Sequence, residues 1–396
     1  MAASQTPRIA YFPDSFHEVN GVAHTSRNFV AYCRRHEVQM LCVRAGQTTR
    51  RLAAEGSIDA LELGRSPLAV RMEKDLSFDP LFFRYSDLIS ATIRGFRPDI
   101  IHITGPSELG LFGAYFAWQL GIPLVASWHT NVHEYAGRRM RWMSRHMGSF
   151  GRQVELGAEG FVLEATARFY RLAKVVYAPN PELCALLERR TQRPCHLMQR
   201  GVETEVFTPA KRTRSGDDGR VVLGYVGRLS VEKNVALLPK IDGQLRARGV
   251  RARWLIVGHG AEDEMLRREL PDAELPGVLL GEDLSRAYAD MDLLVFPSHT
   301  DTFGNVVLEA MASGVPAIVT PDGGPAHIVN AGATVGMGVG TGRIARDEEF
   351  AGAVMEVLSD GARFKAMRIA AREYAQRCSW DAVFERVIAA YPNGWG

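Results

Sequence analysis

DLLVFPSHTDTFGNVVLEAMASGVPAIVT, residues 292–320, decides the fold. It opens with an apolar run, Asp292–Pro297, passes through a polar loop containing Gly304, and enters an apolar helical stretch. After Gly314 and Pro316 a second apolar run follows, Ala317–Thr320. Strand, helix and strand in that order, with runs that are apolar throughout rather than alternating, indicate a parallel sheet covered on both faces.

Working outward, the same rhythm fills the chain. Upstream in this half come Arg220–Gly227, Trp254–Gly258 and Val278–Gly281. The first half carries Arg8–Phe12, Val38–Val43, Asp99–Thr104, Pro123–Trp128 and Lys174–Ala178. Between the sets, FTPAKRTRSGDDGR (Phe207–Arg220) reads as an exposed linker. A chain of 396 residues exceeds what one core sustains, so two doubly wound α/β domains are expected, meeting near residue 205. Ser379 is placed to cap a terminal helix from Trp380.

The chain is 46% hydrophobic and 23% charged, which argues against disorder and a disulfide scaffold. No apolar run reaches the roughly 18–20 residues of a membrane span. The five cysteines form no C-x-x-C pair, against structural zinc and a disulfide framework. MAASQTPRIAYF runs straight into a strand, so a cytoplasmic protein is expected. A net charge of +2 gives no reason to expect nucleic acid. Residues 1–195 hold 24 basic and 18 acidic side chains and the remainder 23 and 27, so the first half is the one suited to an anionic surface or acceptor.

Ligands of open parallel sheets bind outside the carboxyl ends of the strands, so the loops there carry the chemistry. Arg220–Gly227 ends in GRLSVEKN, which puts Arg228 and Lys233 before a helix expected to open near Asn234. Two cations there suit a diphosphate, although the spacing is not that of a Walker loop. Asp301 and Glu309 straddle the next such loop. Asp301 alone reads equally well as a helix-capping charge. Glu309 interrupts an apolar helix, and a carboxylate so placed needs hydroxyl partners such as those of a sugar or ribose. Phe303, Gly304 and Asn305 lie where free N–H groups leave a helix start. Asn20-Gly21 opens another helix, so Gly21 could bring N–H groups to a phosphate. His129 stands at a strand's carboxyl end, where it is either structural or faces a ligand. Asp290 and Asp292 form a D-x-D that reads as structural, so no essential metal is expected.

Together these residues resemble the retaining, nucleotide-sugar-dependent glycosyltransferases of family 4. The resemblance rests on NGV near the start, WHT, RGVETEVFTP, GYVGRLSVEKN and DTFGNVVLEAMASGVPAIVTPDGG, in the family's order. It implies the GT-B fold, two Rossmann-like domains facing across a deep cleft. Residues 1–200 would form the acceptor-side domain, with the terminal helix 379–396 packed back on it, and 201–378 the donor-binding domain. It further implies that Arg228 and Lys233 bind the donor diphosphate and stabilise it as leaving group, and that Glu309 binds the ribose. Asp301, standing where a glutamate is usual, would meet the transferred sugar, whose contacts include the backbone of Phe303 to Asn305. His129 would lie beside the reaction centre and Gly21 near the diphosphate. No cofactor is implied beyond the nucleotide-sugar co-substrate, with UDP and GDP both open.

The acceptor is less legible. AGRRMRWMSRHMGSFGR, residues 136–152, mixes arginines with large apolar residues, which suits either an interfacial membrane segment or a basic helix packed on its own domain. The resembling subgroup includes enzymes that glycosylate lipids, so a glycolipid or phospholipid acceptor, with the protein peripheral on the inner face of the membrane, is the expectation. Other readings are a transferase with a small soluble acceptor, a GT-B epimerase or hydrolase, for which no acid/base carboxylate pair is found, and a non-catalytic nucleotide-sugar-binding protein.

Overall fold

The computed structural model describes residues 6–18, 21–73, 76–128, 163–214, 220–301, 303–333 and 338–392. The chain divides into two compact units, one of Met1–Gln199 with Val383–Gly396, the other Arg200–Ala382.

The first unit is built on an eight-stranded sheet. In spatial order its strands are Cys195–Leu197, Val175–Ala178, Leu124–Ser127, Ile100–Ile103, Ile9–Phe12, Met40–Gly46, Ile58–Gly64 and Arg50–Glu55. All neighbours run parallel except the last pair, where Arg50–Glu55 returns antiparallel along the edge. The central strands are buried along their whole length, in keeping with their near-continuous apolar runs. Phe12, Leu41, Ile101, Phe116 and Trp128 contribute to one core. The second unit carries six parallel strands in the order Glu274–Gly277, Ala252–Val257, Val221–Val226, Leu293–Phe296, Ala317–Val319 and Gly342–Ile344. Its core gathers Leu223, Tyr225, Ile256, Leu294, Phe296 and Met311.

Each sheet has one place where the strand order reverses. In the first unit it lies between Ile9–Phe12 and Ile100–Ile103, in the second between Val221–Val226 and Leu293–Phe296. The loops leaving the carboxyl ends of those strands diverge, and the crevice between them is where such sheets take ligands.

The terminal helix Trp380–Ala389 is capped as its sequence predicts, Ser379 Oγ accepting from the Ala382 N–H at 3.2 Å. From Val383 onward its residues belong to the first unit. Phe384 stacks on Phe29 with ring centroids 4.8 Å apart, and the Tyr391 hydroxyl lies 2.6 Å from His102 Nδ1.

Several sequence expectations need correction. The run Val278–Gly281 is not a strand: Glu274–Gly277 takes the edge position, and Gly277, at φ +83°, ends it. Val278 and Leu280 are exposed, so their apolar character reports no core. The helix expected near Asn234 opens at Leu237, because Val231–Lys233 forms a single 3-10 turn and Asn234 then turns left-handed at φ +53°. Lys233 therefore sits in a tight turn rather than at a helix N-terminus. The stretch taken as a linker is bound to the second unit up to Arg214. Phe207 packs edge-on against Tyr288, and Arg212 and Arg214 both pair with Asp292, at 2.7 and 2.8 Å. Strands Arg50–Glu55, Ile58–Gly64, Cys195–Leu197 and Gly342–Ile344 were not expected from the sequence.

Candidate functional site

At the second unit's reversal point, the loop after Val221–Val226 and the loop after Leu293–Phe296 meet through one ion pair. Lys233 Nζ lies 2.9 Å from Asp301 Oδ2, both side chains about four-fifths buried. The Thr300 hydroxyl adds a bond to the carbonyl of Glu232 at 3.3 Å. Asp301 is thus not a helix cap. Gly304 holds the position before the helix Asn305–Ala312, at φ +74°, and a Cβ there would come 2.9 Å from Pro325 Cγ. Arg228 is mostly exposed and, among the described residues, pairs only with Glu232 in its own turn at 3.2 Å. Its backbone carbonyl is fixed by the Tyr225 hydroxyl at 3.0 Å.

Glu309 lies a turn into that helix. The Tyr288 hydroxyl donates to Glu309 Oε2 at 2.7 Å. Burial raises the Glu309 pKa and the nearby charge of Glu203 adds to the rise, while the tyrosine bond opposes them. A carboxylate so desolvated, with only one hydroxyl partner found among the described residues, retains capacity for two more hydroxyls. Asp290 and Asp292 are occupied otherwise: Asp290 accepts from Thr213, while Arg212, Arg214 and Arg368 all bond Asp292. This is the structural role their sequence suggested.

Three further groups at this edge had no assigned role. His299 bridges Asp322 at 2.7 Å and Asp347 at 3.1 Å, and these bonds, Asp322's first, hold its pKa above the ordinary histidine value. Asn234 Nδ2 reaches the other oxygen of Asp347 at 2.9 Å, tying the turn behind Lys233 to the same cluster. The Arg200 guanidinium lies 4.2 Å above the Phe303 ring.

At the first unit's reversal point the loops are pinned in a similar way. The Asp14 N–H donates to Thr104 Oγ1 at 2.7 Å, and the Ser107 hydroxyl donates to the Asp14 carboxyl. Ser107 in turn caps the helix Glu108–Leu120. A Cβ on Gly105 would come within 2.1 Å of Asp14 Oδ2, so only glycine leaves room for that carboxyl. Burial pushes the Asp14 pKa up to about 7 despite the bonds from Ser107. Gly21 opens the helix Gly21–Arg35, as the Asn-Gly signal predicts. The loop before it is held by Glu18, which accepts from Ser15 Oγ and the Phe16 N–H, both at 2.8 Å. His129 and the stretch 136–152 lie outside the described residues.

The structure therefore brings Lys233 and Asp301 together, sets Gly304 and Asn305 at a helix start, and aims Glu309 at Tyr288. Tyr288, Glu203, Arg200 and Asp14 escaped the sequence reading. Arg200 and Glu203 both lie in RGVETEVFTP, a motif that carries the family resemblance but to whose residues no role was attached.

Residues 19–206 match the family described as Glycosyltransferase Family 4, and residues 220–360 the one described as Glycosyl transferases group 1. A GDP-mannose-dependent alpha-mannosyltransferase of Mycobacterium tuberculosis (strain CDC 1551 / Oshkosh) is 30% identical over 393 residues, 97% of this chain and 96% of that protein. Sulfoquinovosyl transferase SQD2 of Arabidopsis thaliana is 30% identical over 339 residues, 82% of this chain and 62% of that one. Among solved structures, sucrose-phosphate synthase from Thermosynechococcus elongatus aligns with a TM-score of 0.62 at 19% identity, over 97% of this chain and 98% of the other. The two parallel-sheet units are those of the GT-B fold, and the chain belongs to the family 4 glycosyltransferases, enzymes that move a hexose from a nucleotide sugar.

Proposed function

We propose that this enzyme is a retaining transferase that moves a hexose from a UDP- or GDP-sugar to a hydroxyl of a glycolipid or phospholipid. The observation that carries the reading is the Lys233–Asp301 pair at the reversal point of the second sheet, with Glu309 in the adjoining helix. Lys233 and Arg228 hold the diphosphate and stabilise the charge that grows on it as it leaves. A single preorganised cation of this kind contributes about 3–4 kcal/mol to such a step. Glu309 takes the ribose hydroxyls, Asp301 and the backbone of Phe303 to Asn305 take the transferred sugar, and Gly21 lies near the diphosphate. His129 serves beside the reacting carbon. Residues 1–199 with 383–396 carry the acceptor and 200–382 the donor. The reaction needs no metal, since the leaving charge is met by fixed cations.

The GDP-mannose dependence of the full-length relative makes GDP-mannose the first donor to try, and the resemblance to a lipid-glycosylating subgroup supports a glycolipid product. No helix among the described residues is long and apolar enough to cross a membrane. Lipid would be met at the inner membrane surface, through the arginine- and aromatic-rich residues 136–152. A thermal-shift panel of UDP, GDP, ADP and their sugar conjugates without added metal tests the reading. A ligand at about 100 times its Kd adds about 2.7 kcal/mol, a shift of several degrees. One winning base names the donor and directs acceptor screening with and without lipid. No shift with any nucleotide would favour a non-catalytic protein.

A further inference from the structure

Arg200 is unlike the other inward-lying arginines of its unit. Arg212, Arg214 and Arg368 share the carboxylate of Asp292. Arg372 donates to the carbonyls of Thr204, Phe207 and Ala312 at 2.5–3.1 Å. Arg200 is half-buried, yet among the described residues the one polar or ring interaction of its guanidinium is with the face of Phe303, with no hydrogen bond and no acidic partner. Burial draws its pKa down and no neighbouring carboxylate opposes the effect, but an arginine so placed still carries its charge. Stacking covers one face of the guanidinium and leaves its N–H edge free to bond in the ring plane. A partly desolvated cation without a counter-charge is costly, and the cost is recovered when an anion arrives. A planar, pre-oriented fork suits carboxylate, sulfonate and phosphate groups. Phe303 lies between Asp301 and Gly304, so such an anion would sit beside the transferred sugar.

We propose that Arg200, braced by Phe303, is a subsite for an oxyanion of the substrate distinct from the nucleotide diphosphate: an acidic group on the transferred sugar or a phosphate on the acceptor. The assignment rests on the donor-site reading above. Its test compares wild type, Arg200→Gln and Arg200→Lys. Calorimetry gives Kd for UDP and GDP alone. One arm then pairs UDP-glucuronic acid with UDP-glucose, and the other pairs vesicles containing phosphatidylinositol with vesicles containing diacylglycerol, both with GDP-mannose or UDP-glucose as donor. The expected result is a loss of tenfold or more in Arg200→Gln for the anionic member of one pair. The neutral member and the bare nucleotides change less than threefold, and Arg200→Lys recovers part of the loss. The arm that responds identifies the source of the anion. Equal losses for charged and neutral members, a wild type indifferent to charge in both arms, or a tenfold loss for UDP or GDP themselves would overturn the proposal while leaving the donor site standing. A wild type that binds neither nucleotide would overturn the donor-site reading and this subsite with it.

Discussion

Lys233 Nζ and Asp301 Oδ2, 68 residues apart in sequence, lie 2.9 Å apart across the reversal point of the second sheet. The pair joins a cation suited to a diphosphate with a carboxylate suited to sugar hydroxyls, so the two substitutions should separate. Lys233→Ala should weaken nucleoside diphosphate binding and lower kcat about 100- to 1000-fold. Asp301→Asn removes a negative charge next to where the diphosphate binds, so UDP or GDP should bind no more weakly. Turnover of the sugar conjugate should still fall about tenfold through the lost hydroxyl contact. Calorimetry with the bare nucleotide, set beside initial rates with the full donor, checks both halves.

Glu309 should behave as a binding group held at a cost to the fold. Burial and the charge of Glu203 raise its pKa, so what it adds to stability is present in its protonated form at low pH and is lost as pH rises past its ordinary value. Glu309→Gln should therefore leave the unliganded protein at least as stable near neutrality, while donor nucleotide binding weakens about tenfold or more. Melting curves with and without nucleotide read both effects. A variant that melts lower yet binds normally would contradict the assignment.

Asp14 gives a titration in the other unit. Its pKa rises from the ordinary carboxyl value to about 7, so its stabilising contribution is complete below about pH 4 and lost as pH climbs through 7. Asp14→Asn should flatten the corresponding part of the stability profile between those limits. Chemical denaturation of wild type and variant at several pH values measures the difference.

Phe384 tests the closing of the first core. It is fully buried against Phe29, so Phe384→Ala should cost about 3–5 kcal/mol. The loss should appear in the first unit's transition by hydrogen exchange at the Phe29 helix.

The central parallel strands were readable because they are buried on both faces, which makes Leu293–Phe296 an unbroken apolar run and Ile100–Ile103 one broken only by His102. Arg50–Glu55, with two arginines on an edge, and the three-residue Gly342–Ile344 carry no such signature. Lys233, Asp301 and Glu309 were readable because they follow strands whose carboxyl ends were known to carry ligands. Their companions were not, since Tyr288 reaches Glu309 from another helix and Arg200 meets Phe303 from the far end of the unit's sequence. Asp14 sits among ordinary turn residues, and its environment is made by Thr104 and Ser107. The 3-10 turn at Val231–Lys233 was missed because a helical pattern does begin, only three residues later.

The return of Val383–Gly396 to the first unit also sets an order of assembly. Residues 200–382 are contiguous, so that unit needs nothing made after residue 382 to complete its core. The first unit does need such residues, because His102 and Phe29 must wait for Tyr391 and Phe384, made after the whole of the second unit. The unit whose strands come earlier in the chain is thereby finished after the one that follows it, and until then part of its interior stays unfilled.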